Sequence, residues 1–167
     1  MRSIVRHRTI LKSFLAIMIA HWAEHIVQAY QVYVMGCERH NAMGLPGRFY
    51  PWLVHSEWLH FGYAIATWLG LVILRSGFSG TALHLWDMAI IIQIWHSFEH
   101  TLLFIQAQRG FTLWGAAEST SVLQLFWPRI ELHLFYNSVV TLPIILAMVT
   151  SSRQHYRTPQ LATAGNV

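Results

Sequence analysis

Four apolar stretches, near residues 10–35, 52–74, 82–107 and 128–150, constrain this chain most, because each is interrupted by histidine or glutamate. Each has about the ~20 residues that a helix needs to cross hydrocarbon. A helix satisfies its own backbone and can lie in lipid, but an ionisable side chain on it must find a partner inside the protein. The expected fold is therefore all-α: a polytopic membrane protein whose four helices form a bundle with the polar residues turned inward. The composition agrees, with 54% hydrophobic and 11% charged residues and a mean hydropathy of +0.39, outside the usual range of soluble domains. Residues 1–151 read as a single transmembrane domain, and the small, polar segment 152–167 as a disordered tail.

The breaks between the stretches carry loop signals: GLPGRFYP, SGFSG, and RGFTLWGAAESTS followed by FWP. Lysines and arginines set the expected orientation. Seven (Arg2, Arg6, Arg8, Lys12, Arg75, Arg153, Arg157) fall on the side of the termini and four (Arg39, Arg48, Arg109, Arg129) on the other, which predicts both termini in the cytoplasm. These basic residues sit at helix ends and form no continuous face, so nucleic acid is not an expected partner. Membrane lipid is.

A short repeat organises the chain. His21, Glu24, His25 and Gln31 in HWAEHIVQAYQ recur 75 residues later as His96, Glu99, His100 and Gln106 in HSFEHTLLFIQ, and FYP before the second stretch is answered by FWP before the fourth. The expectation is two tandem, duplicated helical hairpins related by an axis along the membrane normal.

Helical spacing then selects the candidate site. His21, Glu24, His25 and Gln28 share one face of the first helix; His96, Glu99 and His100 share one on the third. Glu57, His60 and Tyr63 line the second helix, and His133, Tyr136 and Asn137 the fourth. At 1.5 Å per residue, His25, His60 and His100 lie roughly 12–17 Å from the outer helix ends and His133 about 8 Å, one common layer in the non-cytoplasmic half. His55 and Glu131 share that depth but point elsewhere, so they are weaker members.

His21, Glu24, His25, Glu57, His60, His96, Glu99, His100 and His133 offer enough nitrogen and oxygen donors for two transition-metal ions. The mixture favours iron, then zinc or copper, over magnesium or calcium. Di-iron four-helix bundles use a comparable inward-facing set of Glu and Glu-xx-His, though the resemblance is one of architecture alone. A non-haem centre of this kind implies a membrane oxidoreductase acting on a lipophilic substrate. Two other readings stand beside it: a subunit carrying haem b for electron transfer, and a proton or metal-ion transporter. The first implies a larger membrane complex and the second a homo-oligomer. His84 and Asp87 read as an interfacial pair, and the Met35, Cys37, His40 and Met43 segment as a solvated loop. A lone cysteine excludes a thiolate-rich site.

Overall fold

The computed structural model describes the backbone of residues 2–164 and the side chains of residue 7 and residues 9–152. Six α-helices follow one another: α1 (Arg2–Tyr33), the short α2 (Gly44–Phe49) and α3 (Pro51–His55), then α4 (Trp58–Leu74), α5 (Gly80–Arg109) and α6 (Arg129–Ala164). Four of them carry spans long and apolar enough to cross a membrane: Thr9–Tyr33, Trp58–Gly77, Gly80–Arg109 and Arg129–Ser152. Around the bundle α1 packs on α4 and α6, and α5 packs on the same two. The ring is thus α1, α4, α5, α6. Large apolar side chains such as Ile17, Ile26, Ile73, Ile91, Phe135 and Leu142 stand on its outside, where hydrocarbon is an adequate solvent for them.

Two departures from the sequence reading matter. The second helix does not run unbroken from residue 52: α3 ends at His55, Glu57 turns left-handed (φ 62°), and α4 begins at Trp58. At the other end of the chain α6 continues as helix through Ala164, where the tail was expected to begin at 152. Residues 165–167 of that expected tail, and the side chains of Arg153 and Arg157, lie outside the described residues.

The bundle has two unlike ends. At the end of the short 75–79 connection, Leu71, Leu74, Phe78, Trp86, Val140 and Ile144 form a buried apolar core. Ala82, Ala89 and Ala147 are buried there too, and small residues of this kind let helices approach closely in lipid. Trp86 is fully buried, stacks on Phe78 at 4.2 Å and donates its indole N–H to the Leu71 carbonyl at 2.8 Å. Gly70 admits the ring of Phe14, which a β-carbon at that position would strike. Towards the long-loop end, where residues 34–57 and 110–128 cover the bundle, the interior becomes polar: His21, His25, His60, His96, His100 and His133 are all buried.

Candidate metal centre

Each histidine owes its place to helical geometry. His21 and His25, one turn apart on α1, stand with ring centroids 4.7 Å apart and nearly perpendicular; His96 and His100 on α5 stand 4.5 Å apart in the same manner. His60 on α4 and His133 on α6 close the two sets, at 5.5 Å from His25 and 4.9 Å from His100. The sets also touch one another, His25 to His133 at 4.8 Å and His60 to His100 at 5.9 Å, the latter pair parallel. In the group His96, His100 and His133 the ligand nitrogens all lie within 4.8 Å of one another, so these three could hold a metal ion.

Two nitrogen contacts are informative. The Nε2 atoms of His100 and His133 are 3.2 Å apart, and those of His21 and His25 are 3.3 Å apart. Two nitrogens bound at about 2.0–2.1 Å to one tetrahedral ion lie about 3.3 Å from each other. The second ring nitrogens point to the same chemistry. His133 Nδ1 meets the Arg129 carbonyl at 2.6 Å and His25 Nδ1 meets Gln28 Oε1 at 2.8 Å. Both partners are oxygens that accept, so Nδ1 carries the proton and Nε2 is left with its lone pair, the arrangement a metal ligand needs. The Nδ1 atoms of His21, His60, His96 and His100 find no hydrogen-bond partner among the described residues. Leaving such atoms buried and unpaired is costly.

The carboxylates behave differently from the imidazoles. Glu24 Oε2 accepts the Leu45 N–H at 3.2 Å, and Gln31 Oε1 accepts that of Gly44 at 2.9 Å. Gly44 has φ +67°, and a β-carbon there would collide with the Glu24 carboxylate, so glycine is required on both counts. On α5, Glu99 Oε1 accepts the Leu123 N–H at 2.8 Å, and its Oε2 accepts hydroxyls from Ser121 at 3.2 Å and Tyr136 at 3.3 Å. Gln106 accepts backbone N–H groups from Leu113 and Thr120. Each glutamate and its glutamine thus tie down the long connection that follows their own helix. Glu57 makes a bidentate ion pair with Arg129, Oε1 to Nη1 at 2.6 Å. Its other oxygen stands 3.8 Å from His60 Nδ1. Because Glu57 lies in the turn before α4, it does not share a helical face with His60 as the spacing suggested.

The remaining expected residues divide in the same way. Tyr63 stacks on His21, and Tyr136 lies tilted against His96, both at 4.3 Å. Asn137 bonds back to the His133 carbonyl at 2.8 Å. Glu131 faces outward to Tyr33 and to Arg39, the latter at 2.9 Å, and that contact raises the Arg39 pKa. His55 is exposed on α3. Asp87 is held by Arg75 through bonds of 2.7 and 2.8 Å, rather than serving His84. The sequence reading missed Arg129 and Ser121 as carboxylate partners. Gln31 and Gln106 were visible as repeated residues, and their register with the glutamates was the available clue.

A cavity of about 490 Å³ opens at the long-loop end and reaches down to His25, His60 and His133. Beside His96 and His100, a second space bounded by Leu103, Ser121 and Leu132 leaves no room for a water molecule. No family model matches the chain, and neither a curated protein nor a solved structure shows significant similarity to it.

Proposed function

We propose that the chain is a membrane metalloprotein whose six buried histidines hold two transition-metal ions, one on His96, His100 and His133 and one on His21, His25 and His60. The observation that carries this reading is the pair of Nε2 to Nε2 separations, 3.2 and 3.3 Å, with His133 and His25 both fixed as the lone-pair tautomer from behind. The matching bonds from Glu24 and Glu99 to the following loops support descent from a duplicated hairpin.

With the carboxylates occupied by loop N–H groups, hydroxyls and Arg129, save for one buried oxygen of Glu24, the donor set is chiefly imidazole. That moves the preferred metal from iron to copper or zinc, both well served by neutral nitrogen. Copper would give the centre a redox role, and an oxidoreductase is the activity favoured here. Haem fits less well: axial nitrogens on opposite sides of an iron stand about 4 Å apart with a macrocycle between them, whereas the Nε2 atoms here approach to 3.2 and 3.3 Å, too close to admit one. A conducted ion fits less well too, because the core around Trp86 and Leu71 closes the short-loop half with apolar side chains.

The test is metal content by mass spectrometry on the detergent-purified protein, with its absorption spectrum. Two equivalents per chain and no Soret band are expected. His100→Ala and His25→Ala should each lose one equivalent, and His84→Ala, at the other end, none. A Soret band, or equal metal content in all three variants, would overturn the reading.

A further inference from the structure

Of the three histidines whose ligand nitrogens converge, His133 also lines the large cavity, whereas His96 and His100 do not. The space that the three share has no room for water, and a further space of about 10 Å³ beside His96 holds about one molecule. Neither can pass an ion with its water shell. We infer that the large cavity is the loading port of this site: a hydrated transition-metal cation enters from the long-loop end and reaches His96 and His100 by way of His133. The inference rests on the metal reading above, and within it on the ion held by His96, His100 and His133 alone.

The wall of the cavity carries donors along its length. Five of the eleven histidines line it: His40 and His55 are exposed at the mouth, and His25, His60 and His133 are buried at the floor. Imidazole nitrogen replaces the water of copper or zinc readily and serves magnesium or calcium poorly, so the lining selects the class of ion. The charge on the wall favours a cation too. Arg39 is paired with Glu131 and Arg129 with Glu57, which leaves the carboxylate of Glu118, exposed at the mouth, as the surplus charge. A negative group at such an opening raises the local concentration of cations. Size agrees as well: six waters occupy about 180 Å³ at ~30 Å³ each, and the cavity offers about 490 Å³.

Cobalt(II) is a suitable probe, because its visible absorption rises when imidazole nitrogen binds it. Metal-free protein in detergent is mixed with cobalt(II) and uptake is followed in time; the phase that disappears in His96→Ala belongs to the three-histidine site. Ser119→Trp and Val54→Trp each place a large ring on the cavity wall without replacing a histidine. Each should slow that phase at least ten-fold and slow release to a chelator by the same factor, so that affinity and final cobalt content match the parent. Glu118→Gln, an exposed substitution, should slow uptake about two- to five-fold at low salt and leave it unchanged at high salt. Parental uptake rates in all three variants at full cobalt content, or lost affinity with uptake unslowed, would overturn the inference and leave the metal centre standing. A chain in which His96→Ala removes no cobalt would sink the metal reading itself.

Discussion

The short-loop half of the bundle and the long-loop half are built from the same four helices and solve opposite problems. In the first, Trp86, Leu71 and Ile144 are fully buried and the Trp86 indole N–H is taken by a carbonyl, with only His7 Nε2 and Thr141 Oγ1 left buried and unpartnered nearby among the described residues. In the second, six imidazoles press together, four of them with an unpartnered Nδ1, above a cavity floor. One half gains stability from packing. The other holds groups that are costly to bury and is secured from outside, by carboxylates and amides that grip the loops. The division keeps a strained polar layer on a rigid base.

Three experiments can break or sharpen that comparison. Trp86→Ala should have the largest effect on stability, about 3–5 kcal/mol, because it removes a fully buried ring and leaves a cavity that lipid does not fill. Metal content should be unchanged; a parallel loss of metal would show that the halves are not independent. Arg129→Ala leaves the carboxylate of Glu57 buried and unpaired. Since Arg129 is itself 36% exposed, a cost near the lower end for broken buried pairs is expected, about 3 kcal/mol. Denaturant unfolding in mixed micelles reads both values, and Glu57→Gln combined with Arg129→Ala should recover part of the loss. Gln28→Ala is the mildest. It removes the acceptor that orients His25 and should weaken metal binding about 10–100-fold, with no change in unfolding. Unaltered affinity would mean that Gln28 does not set the tautomer.

Much of this was legible in the chain itself. The four spans follow from length and apolarity, and the burial of all six histidines from a count of helical rises. The turn of Glu131 towards Tyr33 and Arg39 is consistent with its periodicity, but no periodicity relates His55 to His60, because the break at Glu57 puts them on separate helices. The carboxylates were not legible. Their partners are backbone N–H groups of Leu45 and Leu123 and the guanidinium of Arg129, 72 residues from Glu57. No local pattern encodes a loop that folds back over its own helix. The break at Glu57 was hidden for a related reason: Pro51 signals a helix start correctly, but the left-handed residue six positions on occurs beside a long-range ion pair.

The bonds of Glu24 and Gln31 close within the first pair of spans, and those of Glu99 and Gln106 within the second, while the Glu57 to Arg129 pair joins one pair of spans to the other. In the proposed membrane protein, assembly would proceed by inserting the helices and then associating them. Here the first hairpin can shield its carboxylate as soon as its own loop emerges, before the second hairpin exists. The histidine layer is then the last part to be completed, when two finished halves dock and their imidazoles meet.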